Sequence, residues 1–232
     1  MSRLLLKLSG EGLGGSEGIG FDHEVLERLS LEIQGLIKAG HSVGLVIGGG
    51  NLVRGKGFAE IGKDRVVGDQ MGMLATVVNA LAFSSYLTRN KVSNQVFSAI
   101  AIPGVVKAYQ RSEALECIAD GKVGLFSGGT GNPFFTTDTA ACLRAIELNC
   151  DMVVKATNVD GIYSADPKKD PSASRFDKIS FQEVIDKDLA VMDMTAILLC
   201  RDHKMTIVVC DIDKENNLLK VANGDTIGSK VY

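Results

Sequence analysis

Short apolar runs alternate with amphipathic helical patterns along this chain, and that alternation limits the fold more than any other feature. Strands are predicted at 3–8, 42–47, 95–100, 123–127, 151–156 and 206–210. Helical spacing of apolar residues predicts helices at 22–40, 69–89, 112–119, 137–148, 180–187 and 196–204. Such an order is typical of an α/β fold with a mostly parallel sheet covered on both faces. No long linker or repeat interrupts it, so we expect one domain over 1–232.

Composition excludes several classes of protein. Among the 232 residues, no apolar run is expected to span a bilayer, and the opening residues 1–7 are too short for a signal peptide, which predicts a cytoplasmic protein. The net charge of −3, without a basic tract, disfavours nucleic-acid binding. Five cysteines without C-x-x-C spacing predict reduced, mostly buried thiols, and three scattered histidines disfavour a zinc site built by the protein.

Four glycine-rich or polar segments follow predicted strands, at 9–18, 48–57, 127–138 and 156–166. In parallel α/β sheets, ligands bind beyond the carboxyl ends of the strands. We therefore expect these four segments to form a single site.

The segment 128–138, GGTGNPFFTTD, carries the most chemical information. Its glycines let backbone N–H groups approach an anion, and the helix predicted from Thr137 adds free N–H groups and a positive dipole end. The rings of Phe134 and Phe135 are suited to packing against a base or a sugar. Together these features predict a site for a nucleoside monophosphate.

Two further segments are candidates for binding phosphate. Lys7, at the end of the first strand, precedes the small residues Ser9 and Gly10 and could clamp phosphate oxygens, although a lysine at a strand end also reaches water without binding anything. The run 48–51, GGGN, exposes backbone N–H groups, and Arg54 offers a guanidinium fork. A plain tight turn is the alternative there.

Three acidic or polar positions have both a functional and a structural interpretation. Asp69, at the predicted start of a helix, could bind ribose hydroxyls or cap that helix. The polar loop 157–166 could hold adenosine or be a surface loop. Asp193 could pair with a lysine or cap a helix.

Two generic nucleotide signatures are judged to be chance matches. The G-x-G-x-x-G spacing at 10–15 precedes its helix by too many residues for a dinucleotide fold. The run 57–63 resembles a P-loop, but Asp64 stands where a serine or threonine would hold magnesium.

Six motifs in order resemble those of the bacterial uridylate kinases, a branch of the amino acid kinase family. They are KLSG (7–10), VIGGGN (46–51), GDQMGMLAT (68–76), GTGNPFFTTDTAA (129–141), KATNVDGIYSADP (155–167) and VMD (191–193). The resemblance implies a three-layer αβα sandwich with a central, mainly parallel eight-stranded sheet. It also implies a cytosolic homohexamer that uses ATP and Mg²⁺ to convert UMP to UDP in the supply of CTP and UTP.

The same resemblance implies roles for individual residues. The catalytic set is Lys7, Arg54, Asp138 and Asp193. The ATP-binding set is Lys7, Leu8, Ser9, Gly10, Gly50, Arg54, Thr157, Tyr163 and Asp166. The UMP-binding set is Gly49, Asp69, Thr130, Gly131, Asn132, Pro133, Phe134, Phe135, Thr136 and Thr137. No protein ligand to Mg²⁺ is assigned. The segment Gly15, Ser16, Glu17, Gly18, Ile19 and Gly20 matches one linked to GTP activation, with GTP and UTP as the expected effectors.

The chain departs from the family where some relatives carry charged residues for the GTP effector. Ser84, Ser85 and Gln95 stand at those positions, which predicts weak GTP activation.

The expected mechanism needs no general base, because the attacking UMP phosphate oxygen is already anionic near neutral pH. Lys7 and Arg54 are expected to stabilise the moving charge, while Asp138 and Asp193 orient Lys7 or water bound to Mg²⁺. Three other functions fit less of the sequence: an amino acid kinase acting on a carboxylate or carbamate, a non-catalytic store of nucleotide or oxyanion, and a dehydrogenase.

Overall fold

A computed structural model describes residues 1–53, 63–167, 169–170 and 172–232 of the chain. Nine strands form one sheet in the order β4-β3-β5-β2-β1-β6-β10-β11-β9, and β7 and β8 form a separate hairpin. The strands are β1 (Arg3–Leu8), β2 (Ser42–Ile47), β3 (Asn94–Ser98), β4 (Lys107–Ala108), β5 (Val123–Ser127), β6 (Met152–Thr157), β7 (Ile162–Tyr163), β8 (Arg175–Phe176), β9 (Lys178–Ile179), β10 (Thr206–Asp211) and β11 (Ser229–Val231).

Neighbouring strands of the large sheet are parallel except for the pair β10 and β11. The predicted α/β class and mainly parallel sheet are confirmed. Within the described residues the sheet has nine strands rather than the expected eight, and its two edge strands, β4 and β9, are only two residues long.

The α-helices lie mostly between the strands. They are α1 (Gly10–Leu13), α2 (His23–Lys38), α3 (Arg65–Arg89), α4 (Arg111–Ala119), α5 (Thr137–Glu147), α6 (Phe181–Asp186), α7 (Met194–Asp202) and α8 (Asn217–Asn223). Polar side chains cap several of them, as sequence patterns predict: Asp22 accepts from the backbone N–H groups of Glu24 and Val25 at the start of α2.

Helices cover both faces of the sheet, and successive side chains of each strand point to opposite faces. In β1, Leu4 and Leu6 pack with α2, α3 and α8 through residues such as Phe83. Leu5 packs on the other face with α4, α5 and α7. The result is the expected arrangement of a sheet between two helical layers. All five cysteines are buried, as predicted.

Several elements differ from the predictions. Helix α3 begins at Arg65 and is capped by Asp64, so the prediction that Asp69 opens it is wrong. The polar loop predicted at 157–166 contains β7, which pairs with β8 in a hairpin, and the C-terminal strand β11 lies between β10 and β9.

By length and composition alone, α3 is apolar enough to cross a membrane, which corrects the expectation that no such segment exists. However, α3 packs against α2 and against β2, β3 and β5, and it contributes Phe83 and Leu87 to the core. This packing is that of a core helix.

Candidate active site

Four adjacent parallel strands bring the predicted segments together. β5, β2, β1 and β6 are neighbours in that order, and the segments 127–138, 48–57, 9–18 and 156–166 follow them. The contact between two of these segments is close: a Cβ added to Gly10 would lie 2.5 Å from the carbonyl oxygen of Gly48. The described parts of the four segments therefore follow adjacent strands at one edge of the sheet, and those after β1 and β2 are in contact.

A carboxylate between two lysines lies at the centre of this edge. Lys7 on β1 lies 2.9 Å from Oδ1 of Asp138, and Lys155 on β6 donates to Oδ2 of Asp138, also at 2.9 Å. Lys155 also donates to the backbone carbonyl of Val191 at 2.6 Å. Burial raises the pKa of Asp138, but the two ammonium groups outweigh it and hold that pKa below its usual value. Asp138 is therefore charged and fixes both lysines.

Lys155 was not among the predicted catalytic residues. The sequence does contain a signal for it, since it stands near the end of an apolar strand just as Lys7 does. What the sequence does not contain is the register, which pairs Lys7 directly with Lys155 across the two strands.

Asp193 binds the start of α5 instead of a lysine. Its carboxylate accepts hydrogen bonds from the hydroxyls of Thr136 and Thr139 and from the backbone N–H of Ala196, which makes it the N-cap of α7. Thr136 in turn caps α5 by accepting from the N–H of Asp138. Asp193 therefore caps a helix, which is the structural role considered for it above. Its hydrogen bond with Thr136 also fixes the turn that carries Asp138.

The loop after β5 is held from α3. Asp69 accepts a hydrogen bond from the backbone N–H of Phe134 at 2.7 Å and pairs with Arg65 at 2.8 Å. Burial raises the pKa of Asp69, while the Arg65 and Phe134 hydrogen bonds lower it further than burial raises it. About two turns further along the helix, the hydroxyl of Thr76 accepts a hydrogen bond from the backbone N–H of Gly128 at 2.8 Å. Two points of α3 therefore anchor this loop.

Phe134 and Phe135 stand exposed at the tip of the same loop, with exposed fractions of 66% and 46%. Phe134 has a φ of +72°, a left-handed conformation that is uncommon for an aromatic residue. Such strained backbone is typical of binding sites. The remaining predicted members of the loop, from Thr130 to Thr137, precede or follow Phe134 and Phe135 in the sequence.

A cavity of about 500 Å³ opens on the β6 side of Lys155. Thr157, Tyr163 and Asp166 line it, as does Lys155 itself, so three predicted ATP-binding residues share one space with the missed lysine. Tyr163 donates to Asp160 at 2.7 Å, a hydrogen bond within the loop that follows β6. The volume falls in the range of ordinary ligand pockets.

The other predicted residues are distributed as follows. Leu8 and Gly10 are buried at the end of β1, and the Ser9 hydroxyl accepts from the N–H of Gly12 to cap α1. Gly49 and Gly50 form the turn after β2. The segment 15–20 lies beside that turn, since the N–H of Gly20 donates to the carbonyl of Asn51. Arg54 lies outside the described residues.

Within the described residues, no group of three His, Cys, Asp or Glu side chains could hold a metal ion. Asp138 is occupied by two lysines, and both oxygens of Asp193 accept hydrogen bonds. A magnesium ion here would therefore depend mainly on oxygens from a ligand.

A second, larger cavity of about 610 Å³ opens between α2 and α8. None of the predicted site residues lines it, and none of its lining residues lies at a strand end. We therefore place the candidate active site at the strand ends.

Comparison with known proteins gives consistent results. The family model "Amino acid kinase family" matches residues 2–211. A uridylate kinase of Saccharophagus degradans is 54% identical over 229 residues, which are 99% of this chain and 93% of that protein. A uridylate kinase of Pseudomonas putida has the same identity and coverage.

Solved structures agree with the sequence relatives. The UMP kinase of Bacillus anthracis superposes with a TM-score of 0.96 at 35% identity, covering 99% of this chain and 95% of that one. The UMP kinase of Ureaplasma parvum gives a TM-score of 0.92 at 34% identity, with coverage of 99% and 98%.

Proposed function

The chain belongs to the amino acid kinase family, and we propose that it transfers the γ-phosphoryl group of ATP to UMP, yielding UDP and ADP. The observation that carries this proposal is the pair of lysines held by Asp138 between two candidate nucleotide sites. The relatives named uridylate kinase, at 54% identity over nearly the whole chain, supply the substrate.

UMP occupies the loop after β5 in this proposal. Backbone N–H groups of the loop and the start of α5 bind its phosphate, while Phe134 and Phe135 cover the nucleoside. Asp69 holds the loop in shape through Phe134 and is the carboxylate nearest to the ribose in this scheme. The residues from Thr130 to Thr137, with Gly49, complete the site.

ATP occupies the cavity beside β6. Thr157, Tyr163 and Asp166 surround its adenosine, and its phosphates extend toward Lys155 and Lys7. The N–H groups of Ser9, Gly10 and Gly50 then contact the β- and γ-phosphates. Two polyanions thereby approach each other from opposite sides of the lysine pair.

The chemistry is phosphoryl transfer between oxygens. A UMP phosphate oxygen attacks the γ-phosphorus while the bond to the bridging oxygen of ADP breaks, and no proton has to be removed from the nucleophile. Lys7 and Lys155 neutralise the repulsion between the two phosphates and stabilise the equatorial oxygens of the group in transit. Asp138 orients both ammonium groups, and Asp193 positions Asp138 through its hydrogen bond with Thr136. Arg54 adds a further cation in this proposal.

Magnesium, when bound, shields the ATP phosphates. Because the carboxylates of Asp138 and Asp193 already have partners, the ion is held through nucleotide oxygens and water.

We further propose a single catalytic domain over 1–232 that works as a cytoplasmic homohexamer in the supply of UTP and CTP. GTP or UTP would act through the segment 15–20. Ser84, Ser85 and Gln95 are uncharged, so activation by GTP is expected to be weak.

The proposal is tested by measuring UDP formation from UMP and ATP with purified protein, with Mg²⁺ and with excess EDTA. UDP is expected only where Mg²⁺ is present. CMP, acetylglutamate and carbamate serve as competing acceptors in the same assay. Phosphorylation of a carboxylate in preference to UMP, or nucleotide binding without turnover, would contradict the proposal.

A further inference from the structure

Two buried asparagines join helix α3 to the glycine turn after β2. Asn79 on α3 is fully buried and Asn51 is 2% exposed. Their side-chain amides exchange two hydrogen bonds, since Asn79 donates to Asn51 at 2.6 Å and Asn51 donates to Asn79 at 3.1 Å. A closed amide pair of this kind is fixed in one orientation.

The second N–H of each amide reaches a backbone carbonyl. Asn79 donates to the carbonyl of Gly48 at 2.6 Å, and Asn51 donates to the carbonyl of Gly20 at 2.7 Å. Every side-chain N–H and carbonyl of the pair is therefore used. Since a buried amide left without partners is costly, this complete set of hydrogen bonds fixes both loops to α3.

Backbone packing leaves little room for the turn to shift. A Cβ on Gly49 would lie 2.8 Å from both the carbonyl oxygen of Gly72 and the Cβ of Ala75. On the other side, Gly48 approaches Gly10, and the Thr137 hydroxyl lies 3.5 Å from the Cβ position of Gly48. The turn thus touches the ends of β1 and α5, both of which belong to the proposed phosphate site.

We propose that Asn79, acting through Asn51 and Gly48, is a positioning residue that sets the glycine turn for phosphoryl transfer. This inference rests on the proposed function. Asn79 touches neither nucleotide site, so its effect reaches the substrates through the backbone N–H groups of Gly49 and Gly50, because the N–H of Gly48 already donates to the carbonyl of Leu8. A misplacement of about 1 Å in such groups can lower the rate about a hundredfold.

The contribution of Asn79 predicts a particular kinetic pattern. Asn79→Asp keeps the shape of the side chain but turns a donor into an acceptor facing the Gly48 and Asn51 oxygens. We expect kcat to fall about 10- to 100-fold. The dissociation constants of UMP and ATP should change less than about 3-fold, because the loops that hold the nucleosides keep their own anchors.

Two further variants allow the proposal to be tested even if one variant fails to fold. They are Asn51→Ser and the double variant that combines Asn51→Ser with Asn79→Asp. If the two amides act as a unit, the double variant loses little more activity than the more damaged single one. Hydrogen exchange measured without substrate adds a readout that does not depend on activity: amides of 18–20 and 48–51 should exchange faster in Asn79→Asp, while those of 123–127 stay unchanged.

Ser30→Ala is the matched control, since Ser30 is fully buried and bonds Glu27 on α2 and Asn90, the C-cap of α3, both of which lie outside the candidate site. It should lower Tm and leave kcat unchanged. If Asn79→Asp behaves like this control in kcat and exchange, the inference is wrong. If the wild-type protein forms no UDP while the exchange pattern appears as expected, the failure lies with the proposed function instead.

Discussion

Lys7 and Lys155 are register partners on the neighbouring parallel strands β1 and β6, and their ammonium groups contact different oxygens of one carboxylate, Asp138. Two like charges side by side would repel each other in a partly buried site. Asp138 offsets that repulsion, since its pKa is held low and it stays charged. The folded protein therefore compensates for the repulsion between the two lysines before any nucleotide binds.

Lys155→Met should reduce kcat about a hundredfold, which corresponds to about 3 kcal/mol of lost transition-state stabilisation. The apolar stem is kept, so packing in the strand changes little. Steady-state UDP formation at saturating UMP and ATP measures the effect, and Lys178→Met, at an exposed site on β9, serves as the control. Turnover within a factor of three of wild type would remove Lys155 from the mechanism.

Lys7→Ala should lower kcat far more than it weakens UMP binding, because the ammonium group acts on charge that moves during the reaction. Fluorescence or calorimetric titration of UMP, beside turnover measurements, separates the two effects. A variant with near-normal turnover contradicts the role given to Lys7.

Asp69→Asn should raise the KM for UMP about tenfold and leave the KM for ATP nearly unchanged. The neutral amide accepts the Phe134 N–H more weakly and loses its ion pair with Arg65. Varying each substrate in turn at saturation of the other provides the comparison. A change confined to the KM for ATP would mean that the two nucleotide sites are assigned the wrong way round.

Stability should fall in acid partly through Asp138. Its pKa in the folded protein lies below the usual 3.8, so its contribution is complete above that pH and is lost as the pH falls through the lower folded value. Urea unfolding between pH 6 and pH 3 measures this. Asp138→Asn should be less stable by about 3 kcal/mol near neutral pH and should show a shallower decline in acid. An equal decline of the free energy of unfolding in the two proteins would show that other carboxylates determine the loss of stability in acid.

Two glycine-to-alanine changes should have opposite effects on the free energy of unfolding. At Gly10 the new Cβ meets backbone atoms of Gly48 and Gly50 at 2.5 and 2.6 Å, which predicts a loss of about 1–3 kcal/mol together with loss of activity. At Gly35, inside α2, a Cβ meets no described atom within 4 Å, which predicts a gain of about 0.5–1 kcal/mol. Thermal unfolding of the two variants checks both signs.

Much of the fold follows from local patterns in the sequence, since β1, β2 and β5 have the predicted bounds to the residue. The start of α3 was missed because the apolar stripe begins later than the helix, whose first turn is capped by Asp64. Strand order and register depend on contacts between distant residues, and this is why Lys155 and the Asn51–Asn79 pair were not predicted. The N-cap role considered for Asp69 is wrong, because Asp64 caps α3, while its assignment to the UMP-binding set stays a prediction.

The position of β1 in the middle of the sheet has a consequence for biosynthesis. Its neighbours are β2, which is made soon afterwards, and β6, which emerges from the ribosome only after most of the chain. A nascent chain can pair β1 with β2 early, yet Lys7 then has neither Asp138 nor Lys155 beside it. The charge centre can therefore form only after β6 has been made, and a chain that ends before β6 lacks Lys155.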